Sequence, residues 1–200
     1  MANVSASSPA LTDAMHVERL AIPDVMLLHA PKRGDHRGFF SETFRQDVFV
    51  REGVDVQFVQ DNFSFSATRG VVRGMHWQIQ PAAQAKLVRC FKGAILDVVV
   101  DIRKGSPTYG RHVSAELTAD NWAQIFVPVG FAHGFCTLTE NCEVFYKVTA
   151  PYAPQCEGGL RWNDPLLGID WPVTPTEATL SARDLDWPDF AVFESPFALL

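Results

Sequence analysis

The 200-residue chain has no surplus of positive charge: 17 Lys and Arg stand against 23 Asp and Glu, a formal net charge of −6. It also contains no long basic run. Bulk binding to nucleic acid or to an anionic membrane surface draws on such a surplus, so neither is expected. No apolar stretch approaches the ~18 to 20 residues that a membrane helix needs. Residues 1–20 lack the basic start and unbroken apolar run of a secretion signal. The four cysteines, Cys90, Cys136, Cys142 and Cys156, include no Cys-x-x-Cys pair. Reduced thiols in a cytoplasmic protein are therefore expected, with Cys90 and Cys136 acting as small buried hydrophobes. There is no internal repeat.

What is present is apolar and aromatic. The chain is 47% hydrophobic and carries 15 Phe and 5 Trp, enough for one domain with a wide β core. Residues 1–20, rich in Ala and Ser at the start, are expected as a flexible extension, and 21–200 as a single domain ending in a helical tail. Strands are expected over 25–29, 39–44 and 54–66, with a turn at 33–38 and a short helix over 46–52 closed by Gly53. Residues 87–91 and 94–102 read as a hairpin around Lys92-Gly93. Within it Leu96, Val98, Val100 and Ile102 share one face. Ile95, Asp97, Val99 and Asp101 share the other, which must tolerate two carboxylates. Strands over 109–117, 123–128, 134–138 and 143–149, broken by Gly, Pro and Asn, indicate an antiparallel sandwich or barrel. Ser181 with Asp184 three residues later marks a capped short helix, and 190–200 is apolar enough to pack back onto the domain.

Two clusters could carry chemistry. In Arg73-Gly74-Met75-His76-Trp77-Gln78 a histidine, able to exchange protons near neutral pH, stands near the later Lys86. Pro128-Val129-Gly130-Phe131-Ala132-His133 delivers a second histidine after a tight turn. The Pro-x-Gly-x-x-His spacing resembles the second motif of the cupin superfamily. The first cupin motif supplies His-x-His to a metal, but here the second position is Gln78, and Lys86 falls where a carboxylate ligand would stand. An ammonium opposes a divalent cation, so a metal-independent site with no cofactor is expected.

Gly34-Asp35-His36-Arg37-Gly38-Phe39-Phe40, Gln60-Asp61-Asn62, the hexapeptide at 73–78 and Lys86-Leu87-Val88-Arg89 resemble the dTDP-4-dehydrorhamnose 3,5-epimerase family. So do 97–103, 128–135, Tyr146-Lys147 and Trp162-Asn163-Asp164-Pro165, in the expected order from about residue 21 to 184. The resemblance implies a cupin-type antiparallel β-sandwich or barrel (a jelly roll) with short flanking helices. It implies a homodimer formed through residues 25–44, and inversion of C3 and C5 in dTDP-4-dehydro-6-deoxy-D-glucose. His76 is implied as the base, oriented by Asp184, with Lys86 beside the 4-keto oxygen and Tyr146 as the acid on the opposite face of the sugar. His133 is implied as a substrate contact, which Asp97 could orient. Arg37, Arg73 and Arg183 are implied contacts to the nucleotide diphosphate, with Glu42, Gln60, Asn62 and Glu157 supplying polar ones.

The chemistry agrees. A proton α to a ketone is acidic only if the enolate oxygen is stabilised, which Lys86 can do in a water-poor lumen. Val144, Tyr146 and Val148 share a strand face, so the phenol can point inward while Phe145 and Lys147 point away. Taken singly, each residue has a plainer reading. His76 suits a hydrogen-bonded core, Tyr146 core packing, Asp184 a helix cap and Lys86 a solvated strand entrance. Strict alternation also sets Arg73 and His76 on opposite faces, so a shared cavity requires a kink or bulge at Gly74. An epimerase acting at C3 or C5 alone, a metal-dependent cupin enzyme and a non-catalytic sugar-binding module are the alternative functions.

Overall fold

The computed structural model describes residues 14–199. Strands β1 (His16–Arg19) and β2 (Met26–His29) turn back on each other around Pro23. β3 (Arg33–Asp35) and β4 (Gly38–Phe40) form a small exposed hairpin. Helix α1 (Gln46–Arg51) carries Asp47 in its first turn and Arg51 in its last, each favourable to the helix dipole. Five strands follow: β5 (Gln60–Ser66), β6 (Val72–Gln78), β7 (Lys86–Lys92), β8 (Ala94–Asp101) and β9 (Arg103–Lys104). Then come β10 (His112–Thr118), β11 (Ala123–Val127), β12 (Phe131–Thr137), β13 (Cys142–Val148) and β14 (Glu157–Gly159). Helix α2 (Ala182–Leu185) and β15 (Phe197–Ala198) end the series.

These strands make a six-stranded sheet in the order β1-β2-β11-β7-β13-β5 and a five-stranded sheet in the order β10-β8-β12-β6-β14. Pairing within both is antiparallel, so the expected sandwich is formed. Val88, Cys90, Ile125 and Val144 from one sheet meet Ile95, Val99, Leu117 and Phe135 from the other. Each fully buried aliphatic chain of this size contributes about 1.5–3 kcal/mol, so this layer fixes which face of every strand is inward. The outer face of the five-stranded sheet is covered by Leu160, Leu167, Phe190, Phe193 and Phe197, which pack on Val98, Val100 and Ile102. The expected return of the C-terminal stretch is therefore real, and β15 runs parallel to β9.

Four expectations change. The extension placed at 1–20 is a strand from His16 to Arg19, at the edge of the larger sheet; residues 1–13 lie outside the described residues. The hairpin over 87–102 is not one. β7 pairs with β11 and β13, whereas β8 pairs with β10 and β12, so Gly93 turns a corner from one sheet to the other. A Lys-Gly turn looks the same locally in either case; the partner of each strand is a long-range choice. The strand expected over 54–66 is confined to Gln60–Ser66, because Val54, Val56 and Phe58 pack with Phe49 of α1 instead. The strand expected over 39–44 stops at Phe40. The two carboxylates of β8 are on the inward face as alternation requires, and both are buried with partners. Asp101 binds Arg103, Ser106 and Thr108, and Asp97 binds His133. Among the described residues no helix is long and apolar enough to cross a membrane.

Candidate active site

The inward parity of five strands converges at one end of the sandwich on a cleft of about 370 Å³. β6 and β14 of the smaller sheet bring His76, Gln78 and Glu157; β5, β7 and β13 of the larger bring Gln60, Asn62, Lys86 and Tyr146. Val144, packed with Tyr146, and Val148 are buried, while Phe145 and Lys147 line a separate outer groove, as alternation predicts. His76 and Tyr146 thus approach one cavity from opposite sheets.

The bulge demanded by the sequence is present. Between β12 and β6, His133 pairs with His76 but Phe135 pairs with Arg73, so β6 holds one residue more than its partner. The extra residue restores parity and turns Arg73 and His76 to the same face. Gly74 permits it. Its φ is +135°, and a side chain there would meet the His133 carbonyl oxygen at 2.9 Å.

The His76 imidazole is bonded through Nε2 to Asp184 Oδ1 at 2.5 Å. The other carboxylate oxygen of Asp184 accepts from the Ser181 hydroxyl at 2.8 Å, and the Asp184 N–H donates to that same hydroxyl oxygen. Asp184 therefore bonds the helix cap through one oxygen and the His76 imidazole through the other, so the two readings of this residue do not compete. Burial alone would push its carboxyl up, but the His76 bond and charge together with Ser181 hold it below the usual carboxylate range.

Lys86 shares the inward face with Val88 and Cys90, and its Nζ reaches the His76 carbonyl at 3.5 Å. Burial lowers its ammonium to about 8, against the pull of Asp97 and Glu157. Burial also raises the Tyr146 phenol, while Arg73 draws it back. His133 Nε2 sits 2.9 Å from Asp97 Oδ2. Burial raises the Asp97 carboxyl, opposed by His133 and Lys86. The buried Lys86 ammonium and the His133 ring thus both act on the one buried carboxylate of Asp97.

Around the mouth, Gln60 Nε2 donates to Asn62 Oδ1 at 2.7 Å. Glu157 pairs with Arg183 at 2.5 Å and accepts from the Tyr152 hydroxyl at 2.8 Å. Gln78, at the place of the second cupin ligand, is committed to backbone: its amide donates to Ala82 and Pro151 and its oxygen accepts from Ala153. Among the described residues no group of three or more His, Cys, Asp or Glu is placed to hold a metal ion.

The structure does not bring Arg37 and Glu42 to this cleft. Arg37 lies in the β3–β4 turn, bound to Asp35 at 2.6 Å, and Glu42 lies beside Arg45 at 3.5 Å. Tyr152, Gln84 and Trp187 went unread in the sequence. Tyr152 and Gln84 line the cleft, and the Trp187 ring centroid is 6.1 Å from that of His76. Tyr152 and Trp187 follow no strand or helix period, and Gln84 stands in a short connection, so no sequence signal marked them.

A profile of the dTDP-4-dehydrorhamnose 3,5-epimerase family matches residues 19–192. A dTDP-4-dehydrorhamnose 3,5-epimerase of Sinorhizobium fredii is 52% identical over 176 residues, covering 88% of this chain and 90% of that one. The crystal structure of a Bacillus anthracis dTDP-4-dehydrorhamnose 3,5-epimerase with TDP and PPi bound superimposes with a TM-score of 0.84 at 46% identity, over 88% of this chain and 99% of that one. A Legionella pneumophila dTDP-6-deoxy-D-glucose-3,5-epimerase in complex with dTDP-4-keto-L-rhamnose gives a TM-score of 0.88 at 37% identity, over 93% and 100%. Shared sequence over nearly the whole length, the sandwich, and the His76–Asp184 pair facing Tyr146 lead to one conclusion: the chain belongs to the dTDP-4-dehydrorhamnose 3,5-epimerase family, enzymes of the isomerase type.

Proposed function

We propose that the protein inverts C3 and C5 of dTDP-4-dehydro-6-deoxy-D-glucose to give dTDP-4-dehydro-L-rhamnose, without a metal. The observation that carries this is His76 and Tyr146 on opposite walls of one cleft that Lys86 also lines. In this reading His76, aligned by Asp184, takes the proton beside the ketone. The electron pair moves onto the 4-keto oxygen, where Lys86 stabilises the enolate. Tyr146 then returns a proton to the other face of the same carbon as the electron pair moves back from the oxygen; water takes the proton from His76 and restores that of Tyr146, and the sequence repeats at the second carbon. Arg73, His133, Gln60, Asn62, Glu157 and Arg183 are assigned to binding. The four free, buried cysteines support a cytoplasmic location.

The test is turnover of that sugar in deuterium oxide after exhaustive chelation, followed at both carbons by NMR. Deuterium enters C3 and C5, both centres invert, and the rate matches that of unchelated protein. Exchange and inversion at one carbon would make the protein a single-centre epimerase. Activity lost to chelator and restored by a divalent ion would end the metal-free reading.

A homodimer belongs to the same proposal. The outer face of the larger sheet exposes Phe63, Phe65 and Phe91, and the β3–β4 hairpin exposes Phe39 and Phe40. Under this surface Arg89 is buried over the Trp122 ring at 4.5 Å, with no hydrogen-bond partner for its guanidinium among the described residues. Burial lowers its pKa to about 10. A second copy laid on this face would cover the rings and could supply the missing acceptor. Arg37 and Glu42 keep a substrate role here only by reaching the partner's cleft. Light scattering is expected to give twice the chain mass; a monomer at micromolar concentration would overturn this part.

A further inference from the structure

His76 is gripped on only one side by what has been described so far. A hydrogen bond to Nε2 fixes one point of the imidazole, but the ring can still pivot about that point, because the second side-chain torsion of histidine is broad. In a sheet, the residue directly across on the neighbouring strand normally buttresses such a ring. On the β14 side that residue is Gly159, which pairs with His76 and has no side chain to offer.

The space is filled from elsewhere. A Cβ on Gly159 would stand 2.6 Å from Trp187 Nε1, so the indole lies where the cross-strand side chain would have been. Its ring meets His76 edge-on, with centroids 6.1 Å apart and planes at 65°. Trp187 is three residues after Asp184, and the stretch carrying both is tied down beyond them: the Arg161 N–H donates to the Pro188 carbonyl at 2.9 Å, and Arg161 Nε pairs with Asp189 at 2.9 Å. The Arg183 guanidinium lies 5.7 Å from the indole ring while it holds Glu157. The indole N–H is buried without a hydrogen-bond partner among the described residues. A buried indole N–H usually finds one, so this ring sits where contact with Gly159, rather than a hydrogen bond, places it.

We infer that Trp187 is a positioning residue for the reaction: seated on Gly159, it sets the plane of the His76 imidazole whose direction Asp184 sets. The inference rests on His76 being the base of the proposed epimerisation. One short C-terminal stretch then delivers both halves of the grip. The charged groups around His76 come from other positions (Asp184 on α2, Lys86 on β7, His133 on β12, Glu157 on β14), and changing Trp187 leaves all of them in the chain.

The experiment compares Trp187→Ala, Trp187→Phe, Gly159→Ala and the double variant Gly159→Ala/Trp187→Ala, each with a melting curve. Trp187→Ala is expected to lower kcat about tenfold or more with KM nearly unchanged, the cost of a misplaced catalytic group. Trp187→Phe restores the rate to within about threefold of wild type, because a ring edge remains. Gly159 has no left-handed φ, so its added methyl acts only by displacing the indole, and Gly159→Ala mimics Trp187→Ala. The double variant is then no worse than Trp187→Ala alone, a non-additivity that a general loss of packing would not produce. Without substrate, a crystal structure of Trp187→Ala shows the His76 ring turned about its bond to Asp184, and one of Trp187→Phe shows the ring plane kept. A lower melting temperature with kcat and the His76 ring plane both as in the wild type would overturn the inference. So would full multiplication of the two single effects in the double variant. Wild-type protein inert toward the sugar would overturn the epimerase reading instead, and the plane of the His76 ring in Trp187→Ala would still decide the role of Trp187.

Discussion

Replacing His76 with alanine is expected to lower kcat by about 10² to 10⁴, the usual worth of a positioned general base. No neighbour can take over the proton. His133 is the nearest imidazole in register, but its Nε2 is engaged by Asp97 inside the core. Lys86, lowered by burial to about 8, is still mainly an ammonium at pH 7, and in the proposed reaction it serves the enolate as an electrostatic partner. Deuterium wash-in at both carbons should fall in step with inversion, because the step removed is the first one. Asp184→Asn is expected to cost less in kcat, since the imidazole stays in place and only its orientation and the stabilisation of its charge are lost. It should also lose about 1 kcal/mol of stability from the weakened cap, because one carboxylate performs both tasks. His76→Ala with wash-in at the wild-type rate would remove the base from this position. Asp184→Asn with normal turnover would reduce that carboxylate to a cap.

The second large effect separates proton removal from proton return. Tyr146→Phe deletes a single oxygen on the wall opposite His76 and leaves Val144 and Val148 packed as before. Carbanion formation needs His76, Asp184 and Lys86, all intact. Solvent deuterium should therefore still enter at least one carbon beside the ketone, with configuration largely retained, while inversion falls by about 10² or more, as for loss of a general acid. An NMR time course of both carbons in deuterium oxide reads the two processes at once. Inversion of both centres at the wild-type rate would make the tyrosine a packing residue. Neither exchange nor inversion, with nucleotide sugar still bound, would place Tyr146 in proton removal and reverse the two roles.

The inward face of each strand was legible in the sequence, and it carried most of the site. The alternation of side chains in an extended chain is local. It places Tyr146 with Val144 and Val148, and Asp97 with Ile95 and Val99, before any partner strand is known. It also exposed its own exception, since Arg73 and His76 could share a cavity only through an extra residue near Gly74, and the pairing of β6 with β12 contains one. The Ser181–Asp184 cap was readable for the same reason, being contained within four residues. The plain readings of His76 and Asp184 were equally local, so only the fold could show that these residues, 108 positions apart, are bonded to each other.

Partnership between distant segments is what the tertiary structure decided. Lys92-Gly93 is compatible with a hairpin or with a corner between sheets. The corner forms because the apolar faces of β7 and β8 are satisfied by different neighbours, β13 and β11 for one, β12 and β10 for the other. The strand at His16–Arg19 exists because β2 leaves an open edge to pair with. Arg37 and Glu42 are implied by the resemblance yet do not line this chain's cleft: Arg37 sits in the turn of the exposed β3–β4 hairpin, and Glu42 follows that hairpin beside Arg45. Trp187 could not be read at all: its position is set by a missing side chain at Gly159, and a side chain that is absent from one strand has no periodicity by which a residue 28 positions later could reveal that it fills the space.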